Sequence, residues 1–240
     1  MDVFQPPPLY STLLFLGLLA ICQAALVVAA RRAGPEAGRG RRTLIATGVV
    51  VFVGALTAAL ATWVLDPEAF VLTALTLLSL NITALAIAFR PIGLGMGAAF
   101  PVGAWVLFHA FRLPLEYLLT VWHEAGTIPE QITWSGQNFD VATGILALVL
   151  GPVLLRWPNK KLALAFHIVG LALLFNVARI AVLSAPGAPI DVFDEPVLLA
   201  FHVPFIWIVP FAVVAALFAH VIALRALLRR SDEMSSSPRP

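Results

Sequence analysis

The sequence predicts an all-α protein, a polytopic membrane helix bundle of about seven transmembrane helices. Hydrophobic residues make up 60% of the 240-residue chain and charged residues only 12%, and the mean hydropathy is +0.95. A soluble protein of this length needs more polar surface than such a composition supplies, so the lipid bilayer is the expected surroundings. The apolar residues also form continuous runs close to the length of about 20 residues that a membrane-spanning helix needs.

Seven such runs follow one another along the chain. They cover residues 9–30, 43–64, 70–90, 92–121, 139–156, 161–185 and 197–227. The runs are continuously apolar rather than alternating, which favours helices over strands. The fourth run contains Pro101 and Pro114, and the seventh contains Pro204 and Pro210. Proline interrupts helical hydrogen bonding, so we expect these two helices to be kinked or to project beyond the bilayer.

The positions of the basic residues predict the orientation. With seven spans, 13 of the 15 lysines and arginines fall on one side of the membrane. They are Arg31, Arg32, Arg39, Arg41, Arg42, Arg90, Arg156, Lys160, Lys161, Arg225, Arg229, Arg230 and Arg239. Positive charge marks the cytoplasmic side, so the amino terminus is predicted outside and the carboxyl terminus in the cytoplasm, in a cell inner membrane. The net charge of +2 reflects this asymmetry, and nucleic acid is not an expected partner.

Residues 1–230 are predicted to form a single integral membrane domain, followed by a disordered cytoplasmic tail at 231–240. The first eight residues include Asp2 and three prolines but no lysine or arginine. They therefore lack the basic start of a cleavable signal peptide, and the first helix is expected to be retained. Cys22 is the only cysteine; its place within an apolar run indicates a small packing residue rather than a reactive thiol.

One segment, residues 108–144, concentrates polar and charged groups in this apolar chain. If its beginning is helical, His109, Arg112 and Glu116 lie on one helix face, because they follow one another at i, i+3 and i+7. Asn138 and Asp140 then stand where the next apolar run begins. The segment is therefore the first place to look for a site.

Two arginines depart from the orientation rule. Arg112 lies at the outer end of the fourth run, and Arg179 lies inside the sixth run, about 8 Å short of its outer end. An ionised arginine at that depth is costly unless it is paired or hydrated, so it indicates a functional site. Asn176 shares a helix face with Arg179, and His202 enters the seventh run from the same side of the membrane.

The predicted topology brings these polar residues to one layer near the outer membrane surface, from four different helices. The members are Arg112, Glu116, Asn138, Asp140, Asn176, Arg179 and His202. Two interpretations remain open. The layer is a ligand-binding or catalytic site, or it is a set of structural ion pairs that joins Arg112 to Glu116 and Arg179 to Asp140.

The order of features from Arg112 to His220 resembles the exosortase/archaeosortase family of multi-pass membrane transpeptidases. The similar features are the outer loop AGTIPEQITWSGQNFDVATG, a following span, Asn176-Val177-Ala178-Arg179 on the next helix, and His202 at the head of the last. The resemblance implies a membrane enzyme that cuts a sorting signal near the carboxyl terminus of exported proteins. It also implies a cysteine nucleophile whose site is completed by an arginine and a histidine.

The nucleophile of that family is absent here. When Gly144 is placed on the glycine of the family's Ala-x-x-Cys-Ser-Gly motif, Ala142 stands at the cysteine position and Thr143 at the serine. A methyl group cannot attack a carbonyl carbon, and Thr143 would need His202 as its base. The predicted function is therefore an exosortase-like membrane protein whose outer polar pocket binds an exported polypeptide or a lipid-linked substrate, without cysteine-based catalysis.

The residue types suggest a role for each side chain in an active pocket. The candidate catalytic residues are Arg179, His202 and Asp140. Arg179 and Arg112 would hold an anionic group, His202 would move a proton, and Asp140 or Glu116 would orient it. Trp134, in the outer loop, would cap a substrate groove or anchor the loop at the interface. The candidate substrate-binding residues are Arg112, Glu116, Asn138, Asn176 and Trp134.

The sequence predicts no metal and no cofactor. Haem is the alternative considered, because His109 and His202 are expected toward the outer face and His167 and His220 toward the inner face, which suits two bis-histidine sites. However, the helix between His202 and His220 is about 27 Å long, so the two groups would lie at the edges of the hydrocarbon core, which is about 30 Å thick.

Two further motifs have simpler interpretations. His123-Glu124 starts like a zinc-protease motif, but Thr127 occupies the position of the second histidine. Gly93, Gly95 and Gly97 are spaced like part of a nucleotide-binding loop, but they lie in an apolar run without a preceding strand. They are therefore expected to allow close helix packing.

Two function classes stand beside the exosortase-like one. The first is a transporter component, which requires a polar route to the cytoplasm. The second is a non-catalytic assembly subunit, in which the polar residues form a closed and fully paired cluster. An outward-opening cavity around Arg179 would favour the exosortase-like interpretation.

Overall fold

The computed structural model describes residues 4–63, 70–188, 190 and 192–236. In those ranges every regular element is helical. The α-helices are α1 (Leu9–Arg32), α2 (Arg39–Trp63), α3 (Phe70–Phe89), α4 (Pro91–Ala98), α5 (Val102–Phe108), α6 (Arg112–Glu124), α7 (Val141–Arg156), α8 (Lys160–Leu183) and α9 (Val214–Ser236). Short 3-10 turns cover Glu36–Gly38, His109–Phe111, Glu130–Ile132, Leu199–Phe201 and Phe205–Trp207, and a π-helical turn covers Val209–Val213.

Within the described residues, four helical segments are long and apolar enough to cross a membrane. They are Leu9–Arg32, Glu36–Thr62, Lys160–Leu183 and Phe205–Arg229. A fifth is added if Ala74–Phe89 and Pro91–Ala98, which meet at 75°, form one broken span. Helix α7 is apolar but has only 16 residues. The all-helical fold and the several potential spans agree with the sequence prediction, whereas the predicted count of seven is not confirmed.

The fourth predicted run, 92–121, is not one continuous helix. It is divided into α4, α5, a 3-10 turn and α6. Pro101 is the N-cap of α5, and it separates α4 from α5 because it has no N–H to donate to the preceding turn. Pro114 is tolerated in the first turn of α6, where backbone N–H groups have no helical partner. The expected kinks at proline are therefore confirmed, but a single fourth helix was the wrong prediction.

The seventh run is also irregular at its beginning. Residues 199–213 form 3-10 and π-helical turns around Pro204 and Pro210, and regular α-helix starts only at Val214. The backbone of α9 then continues to Ser236, into the segment predicted to be a tail. Residues 237–240 of that tail lie outside the described residues.

The sharp bend between α3 and α4 is held by α9. Pro91 starts α4, and the guanidinium of Arg225 donates hydrogen bonds to the carbonyl oxygens of Ala88 and, at 3.1 Å, of Arg90. A Cβ atom on Gly97 would lie 2.2 Å from the carbonyl oxygen of Ile222. The prediction that the glycines of this region allow close helix packing is therefore confirmed.

The end of α6 sets the path of the loop that leads to α7. Gly126 has φ +73°, its N–H donates to the carbonyl of His123, and the N–H of Thr127 donates to the carbonyl of Trp122. These two bonds form a Schellman motif, which turns the chain away from the helix axis. The loop then packs over a core formed by α1, α6 and the turns after Leu199, in which Trp122 is fully buried and Cys22 is 2% exposed.

Candidate functional site

A buried ion pair lies at the centre of the molecule. One guanidinium nitrogen of Arg112 is 2.5 Å from Oδ1 of Asp140, and the two side chains are 1% and 8% exposed. The same nitrogen donates to the carbonyl oxygen of Gly170 at 3.3 Å. Among the described residues Arg112 thus forms its ion pair with Asp140, so the pairs predicted from the sequence, Arg112 with Glu116 and Asp140 with Arg179, are wrong.

Asn138 holds the loop that delivers Asp140 to this pair. Its side-chain oxygen accepts a hydrogen bond from the backbone N–H of Asp140 at 3.0 Å. Its own backbone N–H donates to Thr133, and its side-chain amide donates to Ile132. Because Asn138 is fully buried, these bonds satisfy polar groups that water cannot reach.

The same amide group holds Glu116. Nδ2 of Asn138 is 2.9 Å from both carboxyl oxygens of Glu116, which lies one turn after Arg112 on α6 and is 2% exposed. Thr143 donates from its hydroxyl to Asp140 at 3.0 Å. The loop before α7 and the first turns of α6 and α7 therefore bring four predicted site residues, Arg112, Glu116, Asn138 and Asp140, together.

A cavity of about 110 Å³ borders this group. Three of its lining residues are charged, namely Arg112, Glu116 and Asp140. Most of the remaining wall consists of aliphatic and aromatic side chains from α6, α8, the turns before α9 and the first turn of α9. They include Leu115, Leu119, Leu174, Val177, Ile208, Ala212 and Ala216. The cavity is therefore an apolar space with three charged residues in its wall.

Three histidines continue the polar contacts on the other side of Arg112. The second terminal nitrogen of the guanidinium is 3.3 Å from Nε2 of His220, and Nδ1 of His220 is 2.9 Å from Nδ1 of His167. The ring of His109 stacks on that of His220, with 3.7 Å between centroids. All three histidines are fully buried. We call Glu116, Asn138, Asp140, Thr143, Arg112 and these histidines the buried network.

The buried network lies deeper than the sequence predicts. The carbonyl of Gly170 that accepts from Arg112 is about 15 Å along the 24-residue α8, which is about 36 Å long. The network therefore lies beside the middle part of α8. The cause is the short length of α7: its first turn, preceded by Asp140, lies beside the interior of α8 instead of its end.

The three histidines are the functional candidates that the sequence did not group. Counting residues along straight helices placed His109 toward one face and His167 and His220 toward the other. The 3-10 turn at His109–Phe111 and the π-helical turn before α9 change that register. The sequence contained one indication of these histidines: polar residues are few in these apolar runs, so each histidine within them is a candidate.

Arg179 lies in a separate group. Its guanidinium donates to the side-chain oxygens of Asn176 and Gln137 at 3.0 Å each, and the amide of Asn176 donates to the backbone of Gln137 at 2.7 Å. Arg179 is exposed and Asn176 is half-buried. We call these three residues the surface cluster.

His202 and Trp134 are also apart from the buried network. His202 stacks on Phe4 with 3.8 Å between ring centroids, and partial burial lowers its pKa below the usual value. Trp134 is 39% exposed and is not among the residues that line the cavity. Within the described ranges, hydrogen bonds and ion pairs do not join the candidate catalytic residues Arg179, His202 and Asp140 to one another.

No family model, curated protein or solved structure matches this chain. The resemblance to the exosortase/archaeosortase family therefore stays a prediction. A functional proposal has to rest on the cavity, the buried network and the surface cluster.

Proposed function

We propose that this protein binds one end of a lipid-like or lipid-linked molecule in an intramembrane pocket, and that the buried network contacts its polar group. The observation that carries the proposal is a cavity whose wall contains Arg112, Glu116 and Asp140 and is otherwise apolar. Buried charged residues inside a membrane protein usually serve a function because their burial is costly.

The composition of the wall favours a lipid-like molecule over an exported polypeptide. A peptide backbone carries an N–H and a C=O at every residue, and each needs a partner when it is buried. Apart from Arg112, Glu116 and Asp140, the wall is aliphatic or aromatic. An apolar chain needs no partners there and benefits from leaving water or detergent.

The volume limits what can enter. At about 110 Å³, the cavity is smaller than an apolar cavity of about 150 Å³ that holds benzene. It therefore accepts a small polar group on a short apolar stem. The remainder of the molecule would extend into the bilayer or the outer loop.

The charged residues of the cavity wall favour a group that donates hydrogen bonds. The two terminal nitrogens of Arg112 already donate to Asp140, Gly170 and His220, and its Nε–H has no partner among the described residues. The side-chain carboxyl group of Glu116 accepts hydrogen bonds from Asn138 alone among the described residues, so its two oxygens have lone pairs to spare. An amine or a hydroxyl suits this part of the wall better than a carboxylate or phosphate, which differs from the sequence-based expectation that Arg112 holds an anion.

Binding of a matched set of ligands tests the proposal. The purified chain in lipid nanodiscs is titrated with decylamine, decanol, decanoate and decyl phosphate, and binding is measured by native mass spectrometry. We expect the amine and the alcohol to bind about tenfold more tightly than the two anions, which corresponds to one hydrogen bond to a charged group. Tighter binding of the anions, or equal binding of all four, would overturn the proposal.

Two variants and two controls locate the binding site. Glu116→Gln should weaken decylamine binding about tenfold, because it replaces one acceptor oxygen of the carboxyl group by an NH2 donor and keeps an acceptor for Asn138. Glu124→Gln makes the same change at an exposed position of α6 and should have no effect. Ala216→Leu should block all ligands by filling the cavity, whereas Ala172→Leu, at an exposed position of α8, should not.

The membrane topology is part of the proposal. We propose seven passes with an extracytoplasmic amino terminus in a cell inner membrane, in which α4, α5 and α6 together make the fourth pass. The distribution of basic residues supports it. In a Cys22→Ala background, Glu130→Cys should react with a membrane-impermeant maleimide on intact cells and Ala37→Cys only after permeabilisation. The reverse result would overturn this orientation.

A further inference from the structure

We propose that His109, His167 and His220 form a binding site for one transition-metal ion of the kind that imidazole prefers, with Zn²⁺ as the test ion. The proposal does not depend on ligand binding in the neighbouring cavity. One nitrogen from each ring can be chosen so that the three lie within 4.8 Å of one another. The three rings come from three separate elements: the turn before α6, α8 and α9.

The hydrogen bonds define the protonation of the metal-free rings. A guanidinium only donates, so Nε2 of His220 accepts from Arg112 and its proton lies on Nδ1. That proton is donated to Nδ1 of His167. The proton of His167 must then lie on Nε2. The chain of contacts from Asp140 through Arg112 thus assigns one tautomer to each of these two histidines.

This arrangement leaves three ring nitrogens without partners. They are Nε2 of His167 and both ring nitrogens of His109, which have no hydrogen-bond partner among the described residues. Both side chains are fully buried, so bulk water does not satisfy them. Buried polar atoms are rarely left unpaired. The cluster therefore needs a binding partner for these three nitrogens.

A metal ion meets that need because neutral imidazole nitrogens are its ligands. Zn²⁺ binds histidine nitrogen at about 2.0–2.1 Å, and three histidines with an open fourth position form a known type of zinc site. Imidazole also suits copper and nickel, whereas Mg²⁺ and Ca²⁺ prefer oxygen. The three histidines offer only nitrogen atoms as metal ligands. The cluster therefore favours zinc, copper or nickel over Mg²⁺ and Ca²⁺.

Metal binding requires one proton, the guanidinium of Arg112 and two of the rings to change position. One lone pair from each ring binds the ion. The proton on Nδ1 of His220 moves to Nε2, and the terminal nitrogen of Arg112 that now contacts Nε2 turns away. Arg112 keeps its ion pair with Asp140 through the other nitrogen. The stacked rings of His109 and His220 separate, because parallel rings cannot direct their lone pairs at one ion.

The backbone of α8 makes room for His220 at this point. A Cβ atom on Gly170 would lie 2.6 Å from Cε1 and 2.9 Å from Nε2 of His220. A larger residue at position 170 would push the ring out of its place beside Arg112. The glycine thus allows the third histidine to reach the cluster.

The test uses the full chain without a polyhistidine tag, in detergent. The protein is stripped with a chelator, dialysed against Zn²⁺ or Mg²⁺, and its metal content is measured by mass spectrometry. We expect about one Zn²⁺ per chain and no retained Mg²⁺. His167→Gln and His220→Gln should lose the zinc. His123→Gln and His202→Gln change the two histidines outside the cluster and should retain it.

A second measurement on the unmodified chain covers the case in which the cluster variants do not fold. The X-ray absorption spectrum of the zinc-loaded protein should show three imidazole nitrogens at about 2.0–2.1 Å. Zinc should also raise the unfolding temperature, and a chelator should reverse the rise. Fewer than three imidazole ligands, or zinc retained in full by folded His167→Gln, would overturn the proposal. A metal-free stack of histidines would then remain.

Discussion

The buried network and the surface cluster use similar residues in opposite environments. In each, an arginine contacts an amide-bearing or acidic partner from the segment between α6 and α7: Arg112 contacts Asp140, and Arg179 contacts Gln137. Arg112 is 1% exposed, whereas Arg179 is exposed. The sequence interpretation placed both arginines in one site, and the structure separates them.

The difference shows that the burial of a polar group, more than its residue type, determines its energetic weight. An exposed ion pair or hydrogen bond competes with solvent and contributes little. A buried charge that loses its partner has no replacement, so its removal is costly. The two regions can therefore be compared by making the same substitution in each.

The largest difference is expected between Arg112→Ala and Arg179→Ala. Removing Arg112 leaves the carboxylate of Asp140 buried without its partner, so we expect the free energy of unfolding to fall by about 3–5 kcal/mol. Removing Arg179, whose hydrogen-bond partners are the neutral side chains of Asn176 and Gln137, leaves no buried charge and should lower it by about 1 kcal/mol. Chemical unfolding in detergent micelles measures both values. Similar losses at the two positions would show that Arg112 and Arg179 have equivalent surroundings.

The asparagines offer a second matched pair. Asn138→Ala should lower the free energy of unfolding by about 2–3 kcal/mol, because it leaves Glu116 and the backbone N–H of Asp140 without partners. Asn176→Ala, at a half-buried position of the surface cluster, should change it by no more than about 0.5 kcal/mol. The same unfolding measurement applies. A loss below about 1 kcal/mol for Asn138→Ala would mean that water reaches Glu116.

Two glycines offer a third matched pair, in which the two substitutions are expected to have opposite signs. Gly170→Ala should destabilise by about 1–3 kcal/mol because the added carbon meets the ring of His220. Gly17→Ala on α1 meets nothing within 4 Å and should stabilise by at most about 1 kcal/mol through helix propensity. Thermal unfolding measures whether Gly170→Ala lowers the stability and Gly17→Ala raises it. If Gly170→Ala is neutral, the ring of His220 moves freely.

Part of the site was accessible to sequence reasoning. Arg112 was identified because an arginine is rare at the predicted outer end of an apolar run, and Asn138 and Asp140 because they stand where the next run begins. These arguments need only composition and helix length. The ion-pair partner of Arg112 could not be predicted in this way. Glu116 is the nearer acidic residue along the helix, yet Asp140, from the segment before α7, forms the ion pair.

The histidines illustrate the limit more clearly. If every span were a straight helix, His109 would lie many ångströms from His167 and His220 along the direction that crosses the membrane. The broken fourth run, the short α7 and the π-helical turn remove that separation. Each of these irregularities is set by prolines together with the packing of neighbouring helices, and residue counting does not predict how far each one shifts the register.

Composition and periodicity were sufficient for the helical class, for several potential spans and for the glycines that allow close packing, because these depend on local properties of the chain. Only the tertiary structure decided which polar groups meet. Arg112 has acidic candidates both on its own helix and in the segment before α7, and the choice between them depends on the position at which α7 begins beside α8. That position is a property of the packed bundle, so the buried network and its three histidines emerge only when the helices are assembled.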